Sequence, residues 1–308
     1  MATVAVPAAL AQEGAAASRT PTGKVPAAVS VLSIVEHPSL DALRDGLHDE
    51  LKDAGYQDGK SLHWAYQSAQ GNQGTAVQIA RKFVGDRPDV IVPIATPAAQ
   101  AVVSATHQIP VVYNAITDPI AAQIVKSMAP SGTNVTGVSD KLVADRQVAF
   151  IKRVVPDVKR VGIIYSPAEA NSVSATREMK VALEKQGISL VEVAAPRSID
   201  VGQAAQRLVG KVDVIYTSND NNVISAYESV IKVANAAKIP LICADRSSVQ
   251  RGATGAMAID YYRMGRQTGR MVLRILNGEK PGDIASETSD RLDITLNLDV
   301  VRRQGATL

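Results

Sequence analysis

The chain has 308 residues, 46% hydrophobic and 20% charged, which is the composition of a soluble globular protein and excludes the disordered and fibrous classes. This length accommodates two α/β lobes, and no apolar stretch approaches the roughly 18 residues of a membrane-spanning helix. With 33 basic and 30 acidic residues the net charge is only +3, and the mixed signs give no electrostatic footprint for nucleic acid.

The first segment, residues 1–28, is rich in Ala, Pro, Ser, Thr and Gly. Within it, Ala9-Leu10-Ala11 has the small-x-small form of a signal-peptidase site, although a basic region and a full apolar core are missing before it. We interpret the segment as a tail that carries the end of an export signal. A plain flexible tail is the alternative.

From Val29 onward, short apolar runs alternate with amphipathic segments, which is the βαβ pattern of a parallel sheet covered by helices. Most of the runs are continuously apolar, as is typical of strands buried on both faces. Strands are predicted at 29–35, 62–66, 90–95, 110–116, 160–165, 190–194, 212–217, 240–244 and 255–259.

The segments between these strands predict helices. In 39–54, leucines recur at 40, 43, 47 and 51 on one face, with Ser39 as N-cap and Gly55 just past the end. Further helices are predicted at 172–186, 222–237 and 261–276, and a strand–helix unit at 292–304.

Two halves of the chain resemble each other. Asp-Val-Ile occurs at 89–91 and again at 213–215, each followed by Ile-Pro and an apolar run. We therefore predict an α/β fold of two doubly wound parallel-sheet lobes with a cleft between them. The N-terminal lobe is assigned to 29–139 plus 260–279 and the C-terminal lobe to 140–259 plus 280–308, with 134–145 carrying the chain from the first to the second.

Ligands of open parallel sheets bind at the carboxyl ends of the strands, so the residues that follow each predicted strand are the candidates for a binding site. Nearly all of them are polar or small and suited to begin a helix. The candidates are Glu36, Thr96, Pro97, Ala98, Asn114, Thr117, Asp118, Ala170, Asn171, Ser172, Ser218, Asn219, Asp220 and Asp245.

These residue types suit a ligand that carries both charges. Thr96, Asn171 and Ser172 stand where helices begin, and free N–H groups with short polar side chains bind a carboxylate there. Asp220 and Asp245 offer carboxylates for an ammonium group. Ordinary helix capping is the alternative for each residue taken singly.

Aromatic residues form only 4% of the chain, so the positions of the tyrosines are informative. Tyr113, Tyr165 and Tyr216 end or nearly end predicted strands, and we interpret them as cleft walls for a flat or apolar side chain, with Tyr113 and Tyr165 as the contacts. The alternative is the ordinary preference of tyrosine for strands.

Catalytic signatures are absent from the sequence: it contains no G-x-S-x-G, H-E-x-x-H, Walker A or G-x-G-x-x-G pattern. The histidines lie far apart, and the single cysteine, Cys243, excludes an internal disulfide and cysteine-based metal motifs. We expect no enzymatic activity, no metal and no cofactor.

Several stretches together resemble the substrate-binding proteins of ABC transporters, in the family of the tryptophan- and aromatic-amino-acid-binding protein. They lie at 35–41, 82–86, 94–97, 117–119, 134–140, 169–172, 208–213 and 265–269. The resemblance implies the type I periplasmic binding fold, with passages between the lobes near 139–145, 259–262 and 278–281. It also implies that ligand closes the lobes and that an inner-membrane permease recognises the closed form.

The sequence thus predicts a periplasmic, exported, monomeric solute-binding protein of an ABC importer. Its ligand is expected to be a small amino acid, with an aromatic or bulky apolar side chain favoured. A small-metabolite enzyme and a ligand-sensing domain on the same two-lobe scaffold are the alternatives.

Overall fold

The structure is a computed structural model that describes residues 20–289 and 292–306. The proposed signal-peptidase site at 9–11 therefore lies outside the described residues. The N-terminal lobe begins with alternating strands and helices: β1 Ala27–Ser33, α1 Pro38–Asp53, β2 Leu62–Ser68, α2 Gln73–Asp86, β3 Val90–Ile94, α3 Thr96–Ala105, β4 Val111–Asn114 and β5 Val135–Ser139.

The C-terminal lobe repeats this alternation. The chain then returns to the N-terminal lobe for one helix and one short strand, and its final strand joins the C-terminal sheet. The C-terminal lobe contains α4 Ala144–Val154, β6 Arg160–Tyr165, α5 Ala170–Glu184, β7 Ser189–Ala194, α6 Val201–Gln206, β8 Val214–Thr217, α7 Asn221–Ser225, α8 Tyr227–Ala237, β9 Leu241–Asp245, α9 Arg246–Arg251 and β10 Gly255–Ile259. The last elements are α10 Tyr261–Leu276, β11 Glu287–Thr288, β12 Leu292–Leu296 and α11 Leu298–Arg303.

Each lobe contains one sheet. The strand order is β11-β5-β4-β3-β1-β2 in the N-terminal lobe and β12-β10-β9-β8-β6-β7 in the C-terminal lobe. The paired strands run parallel, except that β12 is antiparallel to β10. In both lobes the order reverses beside the first strand of the lobe, which is the doubly wound arrangement. The predicted fold class is confirmed.

The last passage between the lobes differs from the prediction. Residues 280–288 were assigned to the C-terminal lobe, whereas Glu287 pairs with Val138 in the N-terminal sheet and Thr136 Oγ1 donates to the Ile284 carbonyl at 2.9 Å. Backbone packing at Gly282 against Thr133 holds this segment in place. Residues 280–288 therefore belong to the N-terminal lobe, and the described chain joins the C-terminal sheet with β12; the other lobe bounds stay predictions.

The core of each lobe is mainly aliphatic, as the low aromatic content requires. Helices α1 and α10 of the N-terminal lobe pack closely against each other, and glycines make this possible. A Cβ on Gly265 would lie 2.1 Å from the Leu43 carbonyl oxygen, and one on Gly46 would lie 2.1 Å from the Tyr262 carbonyl oxygen. Within the described ranges, no helix has both the length and the apolar character that a membrane span requires.

Candidate functional site

The carboxyl ends of the strands in the two sheets face each other, and hydrogen bonds join the lobes. Ser39 Oγ donates to Asp245 Oδ1 and Ser174 Oγ donates to Asp118 Oδ2, each at 3.0 Å. A cavity of about 280 Å³ at the edge is lined by both lobes, including Pro97 and Glu169. The lobes are therefore closed on one another.

Two residues at this cleft hold a backbone conformation that is uncommon outside glycine. Ala95 follows β3 with φ 72°, and Ala115 follows β4 with φ 57°. Positive φ at an alanine costs conformational free energy and is concentrated at functional sites. Ala95 also precedes α3, whose first turn has no side-chain cap. The N-terminus of α3 is thus left open at the cleft.

The N-terminal lobe contributes buried polar atoms without a hydrogen-bond partner. Thr96 is 1% exposed and Asn114 is 0% exposed, yet Thr96 Oγ1 and both side-chain polar atoms of Asn114 are unpartnered. An unsatisfied buried polar group costs about 1–3 kcal/mol. A ligand that bonds to these atoms would remove this cost.

The C-terminal lobe contributes a second set of such atoms. Asn171 Oδ1, Ser218 Oγ and Asn219 Oδ1 are buried and unpartnered. The amide nitrogen of Asn171 is engaged, because it donates to Glu169 Oε2 at 3.0 Å and to the Asn219 carbonyl at 2.8 Å. These predicted site residues therefore lie together, at the starts of α5 and α7.

Glu169 is a cleft residue that the sequence prediction missed. Its Oε2 accepts from the side chains of Asn171 and Asn221, at 3.0 and 2.7 Å. Burial, followed by the negative charge of Asp220, raises the pKa of Glu169 to about 7. The available signal was its position directly before Ala170, which begins α5.

Asp140 is the second residue that was missed, and it follows β5 directly. It accepts hydrogen bonds from Thr117 Oγ1 at 2.9 Å, Asn219 Nδ2 at 3.0 Å and Tyr261 Oη at 2.8 Å. Burial raises the pKa of this carboxyl group. Because Asn219 belongs to the C-terminal lobe and Thr117 to the N-terminal lobe, Asp140 links the two.

Asp220 does not have the free oxygens that the predicted ammonium contact requires. Its oxygens accept from Ser166 N at 2.7 Å, Ser166 Oγ at 2.8 Å, Ser172 Oγ at 2.6 Å and Val223 N at 2.9 Å. It caps α7 and holds the loop after β6 in place. The structure therefore agrees with the capping alternative for Asp220, whose oxygens are occupied by protein donors, and Ser172 is engaged in the same network.

Asp245 and Asp118 are also engaged by protein groups. Asp245 Oδ1 accepts from Ser39 Oγ and, at 2.9 Å, from Ser248 N, so it caps α9 and joins the lobes. Asp118 accepts from Ala121 N at 2.9 Å and from Ser174 Oγ, with Lys141 Nζ at 3.6 Å. Thr117 Oγ1 donates to Asp140. These side chains hold the closed arrangement together.

Two of the three predicted tyrosines are buried in the lobe cores. Tyr113 is fully buried in the N-terminal core, where its ring packs on Gly137, and Tyr216 is buried in the C-terminal core. This agrees with the strand-propensity alternative, and their role as cleft walls stays a prediction. Tyr165 is half-buried at the end of β6, and its role in the cleft stays a prediction.

The remaining predicted residues lie at the beginnings of elements around the cleft. Pro97 and Ala98 are buried in the first turn of α3, and Ala170 begins α5. Glu36 lies at the exposed edge, where Tyr66 Oη and Gln70 Nε2 are 3.4 and 3.3 Å from its carboxylate oxygens. Among the described residues, no group of His, Cys, Asp and Glu side chains is arranged to hold a metal ion.

His37 is a further cleft residue outside the prediction. It is buried at the start of α1, where its Nδ1 accepts from Leu40 N at 3.5 Å and its Nε2 has no partner. It faces Asp245, Arg251 and Asn221 of the C-terminal lobe, and burial lowers its pKa to about 4. The neutral imidazole is thus a part of the lobe contact.

The comparisons with known proteins agree with one another. Residues 28–308 match the sequence family described as ABC transporter substrate binding protein. A tyrosine-binding protein of Clostridioides difficile is 39% identical over 274 residues, which is 89% of this chain and 79% of that protein.

Two solved structures of relatives, one in complex with a ligand and one ligand-free and open, resemble this chain to different degrees. An ABC domain from Streptococcus pneumoniae in complex with L-Trp is 34% identical with a TM-score of 0.88, covering 91% of this chain and 95% of that one. The ligand-free, open structure of a substrate binding protein with adhesive properties from Clostridium difficile is 38% identical with a TM-score of only 0.70, at the same coverage of both chains. The lobes are therefore arranged as in the ligand-bound relative.

Proposed function

Because the chain belongs to the family of ABC transporter substrate-binding proteins, we propose that it captures an aromatic amino acid between its lobes and delivers it to a permease. The family consists of binding proteins of transporters and not of enzymes, which removes the small-metabolite enzyme from consideration. The tyrosine-binding and L-Trp-bound relatives support the choice of an aromatic side chain.

The observation that carries the proposal is the set of unpartnered polar atoms contributed by both lobes. Closure buries them away from water, so a protein without ligand bears the cost of each unsatisfied group. A zwitterion would satisfy atoms on both sides at once. Ligand binding would therefore stabilise the closed form over the open form.

We assign the ligand carboxylate to the N-terminal lobe. Thr96 Oγ1 and Asn114 Nδ2 can each donate a hydrogen bond, and the uncapped start of α3 favours a negative charge. This keeps Thr96 from the sequence prediction and replaces Ser172 with Asn114.

The cellular setting belongs to the same proposal. A binding protein of an ABC transporter works outside the cytoplasm, and we place this chain in the periplasm, as an exported monomer that meets an inner-membrane permease. The small-x-small motif at 9–11 supports export. Cleavage after Ala11 can be checked by N-terminal sequencing of the protein recovered from periplasm.

The proposal is tested by mass spectrometry of ligand retained on native purification, and by calorimetric titration of the stripped protein. L-Trp, L-Tyr and L-Phe are expected to bind, whereas L-Glu and L-Leu serve as comparisons. Asn114→Ala should weaken binding about 10- to 100-fold, because a hydrogen bond to a charged group is lost. Failure of all three aromatic amino acids to bind would refute the proposal.

Asn134→Ala is the matched control. Asn134 lies in the same lobe, but its amide donates to the carbonyls of Ile109 at 2.7 Å and Thr106 at 3.3 Å, away from the cleft. This variant is expected to lose stability while its affinity changes less than about twofold. An equal loss of affinity in both variants would show that Asn114 acts through the fold of the lobe.

A further inference from the structure

Asn171 and Asn219 share one property: the amide nitrogen is bonded and the amide oxygen is not. The nitrogen of Asn171 donates to Glu169, and that of Asn219 donates to Asp140, each at 3.0 Å. Glu169 Oε2 and Asp140 Oδ2 are the acceptors of these hydrogen bonds, so each amide must turn its NH₂ group toward the carboxyl group. Both oxygens are thereby directed away from the carboxylates that hold the amides.

The two residues are in direct contact. Asn171 donates to the backbone carbonyl of Asn219 at 2.8 Å, and Ser218 Oγ, also unpartnered, is the preceding residue. Asn171 is 4% exposed and Ser218 3% exposed. Buried polar atoms are normally hydrogen-bonded, and a donor group of the ligand would satisfy these three.

We propose that the ligand's ammonium group is bound by the side-chain oxygens of Asn171 and Asn219, and that Asp140 and Glu169 are positioning residues that hold the two amides. This inference rests on the proposed function. It replaces the direct contact with Asp220 and Asp245, whose oxygens are taken by protein donors. An ammonium group has three N–H donors, so it can satisfy both oxygens and Ser218 Oγ together.

Asp140 gives this arrangement a link to closure. It is held by Thr117 Oγ1 and Tyr261 Oη, which lie on the N-terminal lobe side, and it receives Asn219 from the C-terminal lobe. The orientation of the Asn219 amide is therefore fixed only when the lobes are together. The ammonium site is complete in the closed form and incomplete in the open form.

The test compares each amino acid with the analogue in which hydrogen replaces the ammonium group: L-Trp with indole-3-propionate, and L-Tyr with 3-(4-hydroxyphenyl)propionate. The wild-type protein is expected to bind the amino acid about 10- to 100-fold more tightly than its analogue. In Asn219→Ala this preference should shrink severalfold while analogue affinity stays nearly constant. Asn277→Ala is the control: it removes an exposed side-chain amide that donates to the Leu273 carbonyl at the end of α10. This variant should keep the wild-type preference for the amino acid over its analogue.

Asp140→Asn tests positioning, because it removes the charge that orients the Asn219 amide. Asp140 itself does not contact the ligand in the proposed site. It should lower the preference for the amino acid while analogue affinity is retained. Equal affinity of the wild-type protein for an amino acid and its analogue would overturn this inference and leave the proposed function intact. An Asn219→Ala variant that loses affinity for the amino acid and for the analogue to the same extent would do the same. If none of L-Trp, L-Tyr and L-Phe binds, the proposed function falls and this inference falls with it.

Discussion

Replacement of Glu169 by Gln should change how the stability of the ligand-free protein depends on pH. Burial and the charge of Asp220 raise the pKa of this carboxyl group from 4.5 to about 7. The folded protein therefore holds the proton more tightly than the unfolded chain does. Its contribution to stability is complete below pH 4.5 and is lost as the pH rises through 7.

The size of this loss follows from the shift, since one pKa unit corresponds to about 1.4 kcal/mol. Ionised Glu169 should cost the wild-type protein up to about 3 kcal/mol by pH 8.5. Glutamine keeps an acceptor for the amides of Asn171 and Asn221 but does not ionise. Glu169→Gln should thus equal the wild type near pH 5 and exceed it in stability at pH 8.5.

The assay is urea unfolding of stripped protein at several pH values between 5 and 8.5. Glu228→Gln is the control of opposite sign, because the Arg251 guanidinium bonded to Glu228 lowers the pKa of that exposed carboxyl group. It should be slightly less stable than the wild type at neutral pH. Parallel pH profiles for wild type and Glu169→Gln would refute the reasoning.

Three further outcomes are expected, each measured by urea or thermal unfolding. Gly265→Ala should lower the free energy of unfolding by about 3 kcal/mol, because its Cβ would overlap the Leu43 carbonyl oxygen at 2.1 Å. Gly85→Ala, at a helical position with open space around the Cβ, should raise it by up to about 1 kcal/mol. Equal effects of the two substitutions would show that α1 and α10 separate easily. Burial lowers the pKa of His37 to about 4, so the folded state loses stability as the pH falls below 6.5, by about 2 kcal/mol at pH 5. His37→Asn should remove this loss. An unchanged dependence of stability on pH below 6.5 in this variant would contradict the assignment. Asp220→Ala should destabilise the protein by about 3–5 kcal/mol, since buried donors lose their acceptor, and a near-neutral effect would be inconsistent with its network.

The sheet architecture was accessible from the sequence because buried parallel strands are continuous apolar runs bounded by helix signals. β5 was missed for the opposite reason. Its sequence, Val-Thr-Gly-Val-Ser, is short and half polar, and Gly137 is required there because a Cβ would lie 2.5 Å from the Tyr113 ring. β11 has only two residues and gives no pattern at all.

The candidate site was predictable as a set of loops but not as a set of contacts. Strand ends converge whatever their side chains, so Thr96, Asn114, Asn171 and Asn219 were found by position. Whether an oxygen caps a helix or remains free depends on partners distant in sequence. Asp220 bonds to Ser166, 54 residues away, and no local pattern encodes that.

The close packing of α1 on α10 has a mechanical consequence. The chain leaves β10 of the C-terminal lobe at Ile259 and enters α10 at Tyr261, so one residue separates the second sheet from a helix fastened to the first lobe. Because backbone meets backbone at Gly46 and Gly265, α10 has little freedom to slide or tilt on α1. Rotation of the lobes at this passage must therefore be absorbed by the torsion angles around Asp260, which acts as a short, stiff pivot.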